Sequence, residues 1–203
     1  MKVTTALFIA VCAASLARAA AEDAVIFSGE DRFRKNWTSS TWGGLEVREE
    51  EGENGGAAVA TVVTEKAAPW SGLNLHLAFD QERSQGAVPL DQDLKESGVV
   101  VLRLNCGKNS EGQPGTGQAL QVSLNFLADG KPVAAPAVPL ARFGLHAVDG
   151  DSTTWEEVRI PISTVLQKVP NAPDVQGLLG VGVQYVEKPS CEILIGDCRV
   201  VKE

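Results

Sequence analysis

The sequence predicts an all-β domain, an antiparallel two-sheet β-sandwich or jelly roll of about nine strands. Three observations carry this. The stretch from Thr153 to the C-terminus contains TTWEEVRIPI, LLGVGVQYV and CEILIGDCRVV, three Val- and Ile-rich segments separated by Pro, Gly, Asn and Ser. Within them the apolar positions recur every second residue, as Val158, Ile160 and Ile162 do against Glu157, Arg159 and Pro161. Upstream, further segments of the same kind follow one another with turn chemistry between them, such as Asp129-Gly130, Asp149-Gly150 and Lys188-Pro189.

The chain opens on a targeting pattern. Lys2 gives a short basic region, VTTALFIAVCAASLA an apolar stretch, and Ala17-Arg18-Ala19 a small-residue cleavage site. That stretch is too short for a comfortable membrane span, and Val11 is too large to precede a lipid-modified Cys12. The expectation is a cleaved secretory signal over residues 1–19, a single domain over 20–203, and a secreted or periplasmic protein with no membrane insertion after cleavage.

The strands then fall in order over residues 25–28, 45–49, 57–64, 72–79, 99–106, 119–127, 156–162, 179–186 and 193–201. Short helical turns are expected over 90–97 and 163–168. The segment GKNSEGQPGTG after Cys106 is read as a loop, because it lacks the Lys-Ser/Thr ending of a phosphate-binding loop and feeds no helix. Glu49, Glu50, Glu51 and Glu53, set among glycines, read as a solvated hairpin.

Charge and cysteine content narrow the partners. The whole chain carries −8; removing Lys2 and Arg18 leaves 16 basic and 26 acidic residues, or −10. Such a surface repels phosphate backbones, so no nucleic acid is expected as a partner. The mature chain keeps Cys106, Cys191 and Cys198. Cys191 and Cys198 lie on one strand, roughly 23 Å apart at about 3.3 Å per residue, too far for a disulfide. A bridge would have to join Cys106 to one of them, with Cys191 preferred; the alternative is three free thiols.

Alternation within the strands separates a core face from a polar one. Leu73, Leu75, Leu77 and Phe79 oppose Trp70, Gly72, Asn74 and His76; Val100, Leu102 and Leu104 oppose Arg103 and Asn105. Leu120, Val122, Leu124 and Phe126 oppose Gln121, Ser123 and Asn125, and Val181, Val183 and Tyr185 oppose Gly180, Gly182 and Gln184. An ordinary solvated face carries more Lys and Glu. Amides and guanidinium groups pair with sugar hydroxyls, and an exposed indole stacks on a sugar's apolar face.

In the order PWSGLNL, GVVVLRLNC, LQVSLNFLADGK, WEEVRIPIS, VGVQYV and ILIGDCRVV, the chain resembles the non-catalytic carbohydrate-binding modules of the galactose-binding-like jelly-roll type. The resemblance runs from about Val25 to Val201. It implies a polysaccharide or oligosaccharide ligand lying across a sheet, with Trp70, Asn74, Arg103, Asn105, Gln121, Asn125 and Gln184 as the binding residues. It also implies a structural calcium with Asp197 as a ligand and Glu30 assisting, where a salt bridge from Asp197 to an arginine is the plainer alternative. No catalytic residues are nominated: Glu156 and Glu157 point to opposite faces of a strand, and glycoside hydrolysis needs two facing carboxylates. Trp155 is expected in the core; Trp37 and Trp42, flanking TSST, either cap the sandwich or bind. Asn36-Trp37-Thr38 is a glycosylation sequon. The competing reading is an exported structural or protein-interaction sandwich with a protein partner.

Overall fold

A computed structural model describes residues 24–28, 37–52, 56–77, 86–109, 118–145, 155–170 and 172–203. The expected leader and cleavage site, the sequon asparagine and Glu30 lie outside these.

The described residues form two antiparallel sheets packed face to face, a jelly-roll sandwich. The first sheet contains β1 (Ala24–Ser28), β3 (Leu45–Glu51), β4 (Ala57–Val63), β7 (Gly98–Asn109), β11 (Glu156–Pro161) and β13 (Cys191–Lys202). Its order is β11-β7-β13-β4-β3, with β1 paired to β13. The second contains β2 (Trp37–Trp42), β5 (Gly72–Leu77), β6 (Val88–Pro89), β8 (Leu120–Ala128), β9 (Lys131–Ala134), β10 (Val138–Pro139) and β12 (Val175–Tyr185). Its order is β10-β8-β12-β5-β2, with β6 on β12 and β9 on β8. Two short helices, α1 (Gln92–Ser97) and α2 (Ile162–Leu166), fall where the turns were expected. Asp91 caps α1 by accepting from the Leu94 amide at 2.8 Å.

The described residues hold thirteen strands, not about nine. The four missed, β2, β6, β9 and β10, are short or polar. The alternation in β2 is Thr and Ser, and the others are two to four residues with a proline in each. Their register comes from neighbouring strands, which an apolar pattern does not display.

The core lies between the sheets. Leu73, Leu102, Leu124 and Ile160 are fully buried and Val183 is 5% exposed, as the alternation required. Tyr185 joins the sheets: from β12 its hydroxyl shares a 2.7 Å hydrogen bond with Thr61 on β4 and donates to the Cys191 carbonyl at 2.9 Å. The Ile193 amide donates to Thr61 Oγ1 at 2.9 Å. Tyr185→Phe is expected to cost about 1–2 kcal/mol, since it strips buried partners of a hydroxyl while keeping the ring. A shift of the denaturant midpoint at unchanged m-value is the check.

Cys191 and Cys198 are both buried and are not bridged to each other; the expected bridge to Cys106 falls on a side chain outside the described set. Burial, then the Asp197 charge, pushes the Cys198 thiol well above its usual range, keeping it protonated and inert. Trp155 is a further correction. It is half-buried and absent from the core cluster, and its ring lies against Gly196, where an added Cβ would come within 2.7 Å of it.

Candidate functional site: the outer face of the second sheet

The two outer faces differ. On the first sheet, small residues at the centre of β4 lie beneath ion pairs. Arg48 on β3 reaches Glu192 on β13 with two hydrogen bonds of 2.7 and 2.5 Å, and also meets Glu50. The hydrogen bonds to Glu192, ahead of those to Glu50, raise its pKa and fix its charge. Along β11, Arg159 bonds Glu157 at 2.9 Å and Glu203 at 2.6 Å. This face is occupied by its own charges.

Arg103 and Asn105 lie on this sheet, which splits the expected single site. Arg103 sits on β7 in register with Glu157 on one side and Asp197 on the other, a row of alternating charge across three strands. Asn105 is 2% exposed. Period-two alternation tells inside from outside; it does not tell which of two sheets a strand joins.

The other five expected residues come together on the second sheet. Asn74 on β5, Gln184 on β12 and Gln121 and Asn125 on β8 all point outward, and Trp70 stands on the turn leading into β5. At the outward positions of β2, β5, β12 and β8 the described residues include no Asp, Glu, Lys or Arg.

Strand β12 makes the face a trough. Its outward positions opposite Asn125 and Ser123 are Gly180 and Gly182. An added Cβ at Gly180 would overlap the Leu75 carbonyl oxygen and lie 2.6 Å from His76 Cα. At Gly182 it would run into Ser123 Oγ and lie 2.6 Å from Asn74 Oδ1. With no side chains on that floor, the amides of the flanking strands meet above it: Asn125 Nδ2 donates to Asn74 Oδ1 at 3.3 Å. The distance from the Gln184 row to the Gly180 row is about 13 Å, four residues of strand.

Indoles close one end. Trp42, outward on β2, lies over Gly72, and its Nε1–H donates to the Trp70 carbonyl at 2.6 Å. Gln184 Nε2 donates to the same carbonyl at 2.8 Å. Trp70 holds φ 65°, in the left-handed region that a bulky residue rarely enters, and is 52% exposed. Trp42, 36% exposed, was left between capping and binding in the sequence. Thr38, Ser40 and Trp42 share one parity of β2, which was the available signal that Trp42 belongs to the polar face.

At the far end His76 shares a 3.0 Å hydrogen bond with Thr38. Burial lowers its pKa from 6.5, so the ring is neutral at pH 7. Because the folded pKa lies below the unfolded one, its contribution to stability is complete above pH 6.5 and is lost as pH falls through the folded value. Melting temperature is expected to fall modestly from pH 7.5 to pH 5, and His76→Gln is expected to flatten that dependence.

Asp197, the expected calcium ligand, lies 3.5 Å from Arg199 and opposite Arg103 in register. The described residues contain no group of three or more His, Cys, Asp or Glu able to hold a metal, and two guanidinium groups beside a carboxylate oppose a cation that seeks six to eight oxygens. These residues do not fit calcium; Glu30 is outside the described set. Excess chelator is expected to leave the melting temperature unmoved, and a fall of several degrees would place an ion at Asp197. No described helix is long and apolar enough to cross a membrane.

The sequence matches no protein-family profile and no curated protein. Solved structures do resemble it. The family 30 carbohydrate-binding module of a cellulosomal cellulase of Clostridium thermocellum aligns with TM-score 0.61 at 12% identity, over 89% of this chain and 98% of that one. A further family 30 carbohydrate-binding module aligns with TM-score 0.63 at 14% identity, over 89% of this chain and 88% of that one. The chain shares their β-sandwich fold.

Proposed function

We propose that the protein is an exported, non-catalytic glycan-binding domain that docks an uncharged polysaccharide chain on the outer face of its second sheet. The observation that carries this reading is the trough itself. A glycine floor, side-chain amides on both banks and two exposed indoles at one end, with no fixed charge at the outward strand positions, match the needs of a sugar chain. Amides offer each hydroxyl a donor and an acceptor, and the indoles offer flat apolar surface to the C–H faces of a ring. Among the described residues a polyanion would meet no cation at the outward positions of β2, β5, β8 and β12, so the ligand class is neutral polysaccharide. The fold shared with family 30 carbohydrate-binding modules is compatible with this reading, and the apolar leader supplies the route of export.

An exposed, contiguous apolar patch would favour a protein-interaction domain. Among the described residues the exposed large hydrophobics are Val25, Trp42 and Trp70. Val25 belongs to the first sheet, so on the trough the two indoles stand among amides.

Affinity electrophoresis through gels containing hydroxyethylcellulose, xylan, galactomannan or polygalacturonate tests the proposal. Retardation by at least one neutral polymer and none by polygalacturonate is expected. Free migration in all four would overturn it.

A further inference from the structure

We infer that Trp42 and Gln184 are positioning residues for Trp70: their two N–H groups clamp its carbonyl and hold the indole out at the end of the trough. This rests on the reading of the face given above and assigns roles within it.

Trp70 occupies a conformation that a bulky side chain avoids, and a bulky residue kept at positive φ signals that the surroundings over-determine it. Here φ is 65°, and the determinants are visible. The turn is pinned on both sides of Trp70, where the Ala68 amide donates to the Gly43 carbonyl at 3.1 Å and the Tyr185 amide to the Ser71 carbonyl at 2.9 Å. Between those anchors the Trp70 peptide carbonyl turns back over the sheet and accepts from two side chains. Trp42 Nε1 on β2 reaches it at 2.6 Å and Gln184 Nε2 on β12 at 2.8 Å. The donors come from strands on either side of β5, so the carbonyl is held from both banks.

The clamp assigns the donors as well as the carbonyl. An indole has a single N–H, and that of Trp42 is spent on the turn, which leaves its ring face as the part presented outward. Gln184, an amide that alternation alone would give to a sugar hydroxyl, commits one of its two N–H groups to the protein backbone. Asn74 and Asn125, bonded to each other, and Gln121 hold no carbonyl of this turn and remain the hydroxyl-facing amides, while Gln184 acts through Trp70. An indole fixed before the ligand arrives loses little rotational freedom on binding, which is the advantage of holding it there.

The test uses the full chain in four forms: parent, Gln184→Leu, Trp70→Ala and the double variant. Trp42→Phe, which keeps a ring over Gly72 and removes the donor, serves as a second probe. Backbone carbon shifts and residual dipolar couplings report the Trp70 φ directly, with no ligand present. Departure from positive φ, or averaging across it, is expected in Gln184→Leu and in Trp42→Phe. Affinity for hydroxyethylcellulose, or for whichever neutral polymer of the panel retards the parent, should fall roughly fivefold in Gln184→Leu and fall no further when that change is added to Trp70→Ala. A Trp70 conformation unchanged in both donor variants would overturn the clamp. Additive losses would overturn it too, by making Gln184 an independent contact. If the parent retains no neutral polymer, the glycan reading fails, while the Trp70 conformation in the donor variants still decides the clamp.

Discussion

Replacing Trp70 by alanine is expected to weaken glycan binding by about 1–3 kcal/mol, a loss of roughly five- to 150-fold in affinity, with little change in folding stability. The asymmetry follows from where the ring sits. Half of it is in water, so removal leaves no cavity in the core between the sheets, whereas Leu73 and Leu75 on the inner side of the adjoining strand would leave one. Stability has a second determinant, the backbone at φ 65°. Alanine keeps that strain and glycine relieves it. Trp70→Gly should therefore fold at least as well as Trp70→Ala while binding equally poorly. Titration against soluble oligosaccharides and denaturation midpoints, on parent and both variants, measure the two quantities separately. A large loss of stability in Trp70→Ala, with no detectable parent binding, would return the indole to a packing role and promote the protein-interaction reading.

The second large effect concerns the floor, where two glycines two residues apart should fail differently. At Gly180 the obstacle is backbone: an added Cβ meets the Leu75 carbonyl oxygen and His76 Cα on β5, neither of which moves without shifting the strand. Gly180→Ala is expected to destabilise by about 3 kcal/mol, at the upper end for overpacking. At Gly182 the nearest atoms are Ser123 Oγ and Asn74 Oδ1, the ends of side chains that can rotate away. Gly182→Ala should fold with a smaller penalty and bind poorly, because the displaced groups are those that face the ligand. Thermal melts and titrations on the two variants check the contrast. Equal stability losses would mean that the banks of the trough are as rigid as its floor.

Much of this protein was legible in its sequence because strand patterning is local. Alternation at Leu73–Leu75, Val100–Leu104, Leu120–Phe126 and Val158–Ile160 determined the class and the inner faces, and the burial of those residues follows it. The same alternation put Asn74, Gln121, Asn125 and Gln184 outward, as they are. What it could not determine is which outward residues share a surface. That depends on hydrogen bonds between strands far apart in the chain: β7 and β8 are consecutive, yet β7 pairs with β11 and β13 while β8 pairs with β12. Arg103 and Asn105 were thereby separated from the amides they resembled and set among ion pairs. Gly180 and Gly182 read only as positions on the polar face until β5 and β8 were seen to flank them, and Trp42 stood between capping and binding until its N–H was seen on the Trp70 carbonyl. Local periodicity decided what is inside and what is outside; strand pairing between distant segments, which no local period encodes, decided where the trough lies and which side chains line it.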